Sequence, residues 1–147
     1  MDPVELKTEM LKLMKANLGI GLSANQVGIN ARVFVFVHNN TTNNQTDREA
    51  LCINPEIVER IEPVLTMWEG CLSFPEVTIQ VPRHHKVKAI WTNELGNQIK
   101  ETFVGYDAVC FQHELDHLNG ITFDQHVSPM VWKEAVEKAK KKIEDNA

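Results

Sequence analysis

Residues 106–120 read YDAVCFQHELDHLNG, and their spacing predicts a helix from Tyr106 to Leu118. Asn119-Gly120 supplies its C-terminal stop. Upstream, Arg32–Val37 (RVFVFV) is rich in β-branched and aromatic residues and reads as a strand. Further strands are expected at Ala50–Asn54, Ile57–Ile61, Val77–Val81, Lys86–Trp91 and Ile99–Val104, with Asn93–Asn97 (NELGN) as the turn between the last two. Residues 3–17 read as an amphipathic helix: Asp2 can cap it, Pro3 suits its first position, and Leu6, Met10, Leu13 and Met14 recur at helical spacing. Asn39–Asp47 is polar throughout and reads as a surface loop. A last helix begins near Ser128-Pro129, with Trp132, Val136, Ala139 and Ile143 on its apolar stripe. Helix, strands, helix, helix is the order of an α+β fold with a mainly antiparallel sheet.

The 147 residues fit one domain, 1–147, and carry a formal charge of −5. That charge argues against DNA binding through a globally basic surface. No apolar run approaches a membrane span, and the opening MDPVELKTEM lacks the basic and apolar regions of a secretory signal, so the cytoplasm is the expected compartment. Cys52, Cys71 and Cys110 form no even framework and no C-x-x-C pair, which argues against a secreted disulfide scaffold.

His113-Glu114-Leu115-Asp116-His117 is an H-E-x-x-H pattern. Positions four apart lie one above the other on a helix, so both imidazoles can ligate one divalent ion. Glu114, on the flank, can reach the water such an ion activates and act as general base. A catalytic site needs a third protein ligand and an open position. One extended pattern would take that ligand from position 123, but Phe123 stands there and His126 is out of register. Glu134 and Glu137 are downstream carboxylates, in a Lys-rich helix where exposure and ion pairing are the ordinary fate. Cys71, in Glu69-Gly70-Cys71-Leu72-Ser73, is an upstream sulfur. Cys52 and Cys110 read as small apolar packing residues. His38, His84, His85 and His126 lack partner spacing and are expected at the surface.

Three motifs together resemble the peptide deformylase family: Gly19-Ile20-Gly21-Leu22-Ser23-Ala24-Asn25-Gln26, then Glu69-Gly70-Cys71-Leu72-Ser73, then Gln112-His113-Glu114-Leu115-Asp116-His117. Asn54-Pro55 and Val81-Pro82-Arg83 are similar to lesser markers of that family. The resemblance implies antiparallel sheets packed around the central helix, and hydrolysis of the N-formyl group from formyl-methionyl nascent polypeptides. It implies Cys71, His113 and His117 as metal ligands, and Glu114 as the group that moves the proton. Gln26 and the backbone N–H of Leu72 would hold the oxyanion, which two fixed donors stabilise as it forms. Ile20, Gly21, Gly70, Tyr106, Val109 and Cys110 would line the substrate site. Fe²⁺ is the implied ion, with Zn²⁺, Ni²⁺ or Co²⁺ as substitutes.

The chain departs from that pattern in places. It starts almost at the first helix, where family members carry a further N-terminal segment, so it resembles a compact member. Thr78 stands where many relatives have Arg or Tyr, and Ser23-Ala24 replaces Ala-Ala, adding one hydroxyl. Lys133, Lys138, Lys140, Lys141 and Lys142 cluster in the C-terminal helix of an otherwise acidic chain, which suggests docking on the ribosome. A solvated amphipathic face is the plainer reading of the same lysines. A monomer is expected. Two other functions fit parts of the pattern: a zinc endopeptidase using Glu137, and a non-catalytic metal-binding relative.

Overall fold

Among the described residues, five strands, β1 (Gly21–Ser23), β2 (Val33–Val37), β3 (Glu49–Cys71), β4 (Phe74–Thr92) and β5 (Gln98–Val104), form one sheet in the order of the chain. Every neighbouring pair is antiparallel. Three helices accompany them: α1 (Pro3–Ala16), α2 (Tyr106–Leu118) and α3 (Pro129–Asp145), with short 3-10 turns at Ala24–Val27 and Phe123–His126. This computed structural model describes residues 2–17, 19–39, 48–71, 74–121, 123–126 and 128–145, without the side chains of 70, 71, 74–76, 123, 124 and 145. The expected polar loop lies for the most part outside the described residues.

Alternation along the strands sorts the core onto two faces. In β2, Val33 and Val35 pack with Met10, Leu11 and Met14 of α1, while Phe34 and Phe36 pack with Phe111 of α2. The strand is buried on both sides because a helix covers each. On the α2 side Phe34, Phe36, Trp91, Phe103 and Phe111 form one aromatic cluster, with Phe34 edge-on to Phe111 at 5.1 Å and Phe103 stacked on Phe111 at 5.4 Å. A smaller cluster joins Val77, Ile79 and Val81 of β4 to Trp132, Val136 and Ala139 of α3.

Several expectations need correction. The pairs of short strands expected between Ala50 and Ile61, and between Val77 and Trp91, are parts of two long strands that pair as one ribbon. Register shifts between Ile53 and Glu56 and between Ile61 and Val64 take up Pro55 and Pro63, where no ladder N–H is needed. Asn54, at the first shift, takes a left-handed φ of 50°, which Asn tolerates better than most residues. On α1, Leu11 is buried and Leu13 faces outward. His38 is fully buried, not a surface residue: its ring lies 5.1 Å from Phe36 and 5.2 Å from Phe103, at the rim of the aromatic cluster. His84, His85 and His126 are half-buried.

Candidate metal centre

The helix that carries the H-E-x-x-H pattern is held at both ends and in its middle. Gly105 precedes it with φ 65°, a conformation that suits glycine, and donates to the His85 carbonyl at 2.8 Å. Gln112 grips β4 through the main chain of His84, donating to its carbonyl at 2.8 Å and accepting from its N–H at 3.2 Å. At the far end Gly120, with φ 73°, closes the helix, and the Ile121 N–H bonds the Asp116 carbonyl at 2.8 Å. The predicted bounds, Tyr106 to Leu118, are those observed.

His113 and His117 meet as helical spacing requires, with their Nε2 atoms 3.1 Å apart. Glu114 lies beside them, and one ligand atom from each of the three falls within 4.8 Å of the others. Glu114 and His117 are buried, and the His113 side chain is nearly so. Glu69 approaches from β3 and takes a 2.7 Å hydrogen bond at Oε1 from His113 Nδ1. Burial alone would raise the Glu69 pKa, but the hydrogen bonds from His113 and Arg83 and the Arg83 charge outweigh it and hold the carboxyl below its ordinary range. An ionised carboxylate only accepts, so Nδ1 carries the proton, and in the neutral ring His113 Nε2 keeps the lone pair that a metal needs.

Behind Glu69 stands Arg83, almost fully buried, whose Nε and Nη2 donate to the two carboxylate oxygens at 2.8 and 2.9 Å. Its Nη1 donates to Asp116, which also receives His126 Nε2 at 2.8 Å. Burial would lower the guanidinium pKa, but Glu69 and Asp116 raise it on balance. The result is a continuous polar chain from His126 through Asp116, Arg83 and Glu69 to His113. In the sequence Glu69 and Asp116 stand only as letters of the motifs, and His126, expected at the surface, is half-buried against Asp116. Their nearness to the expected ligands, Glu69 two residues before Cys71 and Asp116 just before His117, is the signal the sequence offers.

The Gly-rich first motif faces the same helix. A Cβ on Gly21 would lie 2.7 Å from Glu114 Oε1 and 2.9 Å from its Cδ, so any larger residue would push the carboxylate from this position. Asn25 Nδ2 donates to the His117 carbonyl at 2.6 Å, tying the 3-10 turn that bears Gln26 to α2. Ile20 and Tyr106 are exposed, whereas Val109 and Cys110 are buried on α2. Burial, then the neighbouring Glu114 charge, raises the Cys110 thiol to about 12. Tyr106 is likewise raised to about 12, by burial and by Cys110. Cys71 closes β3 two residues after Glu69; its side chain lies outside the described residues, as does Leu72 altogether, and as does the side chain of Phe123. Glu134 and Glu137 are exposed on α3.

The donor set fits a divalent cation. Two imidazole nitrogens each bonded at about 2.0–2.1 Å to a tetrahedral ion would sit roughly 3.3 Å apart, close to the separation found here. The Glu69 hydrogen bond on His113 is the carboxylate–histidine arrangement that orients a metal-ligating ring.

A sequence profile described as polypeptide deformylase matches residues 2–132. The chain is 38% identical to a peptide deformylase of Phenylobacterium zucineum over 136 residues, 92% of this chain and 79% of that protein. Among solved structures, a peptide deformylase from Ehrlichia chaffeensis superposes with a TM-score of 0.81 at 32% identity, covering 97% of this chain and 83% of that one. One from Synechococcus elongatus, in complex with actinonin, gives 0.80 at 36% identity over 91% and 74%. With the two-histidine helix, its orienting carboxylate and the antiparallel sheet already in hand, these matches are decisive: the chain belongs to the peptide deformylase family, metallohydrolases that remove the N-formyl group of formyl-methionyl peptides.

Proposed function

We propose that Cys71, His113 and His117 hold the metal, that Glu114 moves the proton, and that Gln26 and the Leu72 N–H receive the oxyanion. The observation that carries this reading is the 3.1 Å approach of the two histidines beside a buried Glu114. When bound, a divalent ion there supplies Lewis-acid chemistry, acidifying water and polarising a carbonyl. Fe²⁺ is the ion we favour, with Zn²⁺, Ni²⁺ or Co²⁺ as replacements, since imidazole and thiolate suit all four.

The residues divide the work. Glu69 holds the His113 ring in one tautomer. Glu114 removes a proton from the attacking water as its oxygen bonds the formyl carbon. The negative charge that develops on the formyl oxygen falls to Gln26 and Leu72. Glu114 then gives the proton to the departing nitrogen as the C–N bond breaks, leaving formate and a free methionyl amine. Ile20, Gly21, Gly70, Tyr106, Val109 and Cys110 form the site for the methionine end, with the exposed Ile20 and Tyr106 at its entrance.

The natural substrate on this reading is the formylated N-terminus of a nascent polypeptide, met in the cytoplasm by a one-domain monomer. The lysines of α3 support docking on the ribosome: Lys133, Lys138, Lys140 and Lys141 are exposed on the helix whose other side covers β4. Free amine and formate released from a formyl-methionyl tripeptide by anaerobic, Fe²⁺-loaded protein test the reading directly. Glu114→Ala is expected to keep the metal and lose turnover, and Cys71→Ala to lose the metal. Turnover that survives Glu114→Ala would remove Glu114 from its role.

A further inference from the structure

Gln26 projects from a four-residue 3-10 turn, and a long amide on so short an element needs fixing before it can serve as a donor. The Gln26 Oε1 atom accepts two hydrogen bonds from one residue: the Ser23 backbone N–H at 2.9 Å and the Ser23 hydroxyl at 2.9 Å. Ser23 is fully buried. A backbone N–H only donates, so the amide atom facing it is oxygen, and the hydroxyl that shares this oxygen donates as well. The nitrogen end of Gln26 is thereby turned away from Ser23. Two residues on, the Asn25 amide donates to the carbonyl of His117 at 2.6 Å. Two residues before Ser23, Gly21 lies against the Glu114 carboxylate. The segment carrying Gln26 is thus hydrogen-bonded to α2 through Asn25 and lies close against it at Gly21.

We propose that Ser23 and Asn25 are positioning residues for the oxyanion donor, Ser23 fixing the roll of the Gln26 amide and Asn25 fixing the distance between its turn and the metal helix. This rests on the proposed role of Gln26. Neither residue touches the reacting atoms. Each acts on where the Gln26 N–H stands when charge appears on the formyl oxygen, so the loss falls on kcat and leaves KM unchanged.

Ser23→Ala keeps the backbone hydrogen bond to Gln26 Oε1 but removes the hydroxyl's own bond to it, together with the capping-box contact in which that hydroxyl faces the Gln26 backbone N–H. With Fe²⁺ bound, it is expected to lower kcat roughly three- to tenfold, the value of one ordinary hydrogen bond, with KM and metal content held. Asn25→Ala is expected to do the same. The same Ser23→Ala change made in a Gln26→Ala background is expected to cost nothing further, since there is no amide left to orient. In the Zn²⁺-loaded protein, ¹⁵N–¹H spectra are expected to show the Gln26 side-chain resonances displaced or broadened in both single variants. If Gln26→Ala retains full turnover, the role of Gln26 fails and the proposal falls with it. If Gln26→Ala is inactivated by about 10²–10³ while Ser23→Ala leaves kcat and the Gln26 resonances unmoved, or is fully additive with Gln26→Ala, the role of Gln26 stands and the positioning proposal is overturned.

Discussion

Gly21 stands so close to Glu114 that the proposed role of that carboxylate constrains a backbone position. A methyl group there would meet the carboxylate at 2.7 Å, and helix α2 is anchored by Gln112 and the Asn119-Gly120 stop, so the Glu114 side chain is what must move. Gly21→Ala is therefore expected to displace the Glu114 side chain and to lower kcat by about 10²-fold, the effect of a misplacement near 1 Å. Metal content measured on the same preparation separates this from loss of the ion: full occupancy with unchanged kcat would refute it. The cysteines lend themselves to a second test. Cys110 is buried and raised to about 12, and Cys52 is buried and raised well above its ordinary value, chiefly by burial. Neither presents thiolate near neutrality. In folded protein at pH 8, iodoacetamide is expected to leave both unmodified by peptide mapping, and to label both after unfolding. Labelling of Cys110 in the native state at the rate of a free thiol would contradict its burial. The two histidines and Glu114 were legible from spacing alone, because helical geometry converts i and i+4 into proximity. Arg83 and Asp116 were not, because their pairing depends on β4 crossing behind α2, which no local pattern encodes.

Elements differ in how far their own residues define them. Helix α2 carries its start and stop in its sequence, and both ends fell where expected. The ribbon of β3 and β4 does not, because its continuity comes from pairing across the hairpin, which overrides Pro55, Pro63 and the charged residues along it. Helix α3 shows the opposite balance: its stripe of Trp132, Val136 and Ala139 was readable, though Ile143 faces solvent. That stripe covers Val77, Ile79 and Val81 on the part of β4 that lies beyond β5. Ala139 sits at the contact and is 5% exposed. Ala139→Asp would bury an unpaired charge there, and a loss on the order of 3 kcal/mol in denaturant unfolding is expected. Ala139→Ser is expected to cost far less. Equal, small losses for both would mean that α3 is not held on β4 in solution.

Across the whole molecule, one polar chain joins four elements: His126 in the second 3-10 turn, Asp116 and His113 on α2, Arg83 on β4 and Glu69 on β3. The metal site therefore depends on the same contacts that dock the helix on the ribbon. Glu69 sets the acid limit of that arrangement. Its folded pKa lies below the ordinary value of 4.5, with the cost of burial outweighed by His113 and Arg83. The unfolded chain then binds the proton more readily than the folded one, so the stabilisation is fully present above pH 4.5 and is lost as pH falls through the folded value. Glu69→Gln removes the titrating charge, keeps the size, and leaves Arg83 buried against a neutral amide. At pH 7 it is expected to cost about 3 kcal/mol, as when one member of a buried pair is taken away. It is also expected to weaken metal binding about 10- to 100-fold, because His113 loses its anionic partner. Denaturant unfolding of metal-free protein from pH 7 to pH 3 separates these effects from loss of the ion in acid. The parent should lose stability below pH 4.5 while Glu69→Gln changes less, so that the two curves converge. A gap between them that stays constant down to pH 3 would show that the Glu69 carboxylate does not depend on its charge, and that Arg83 finds its compensation elsewhere.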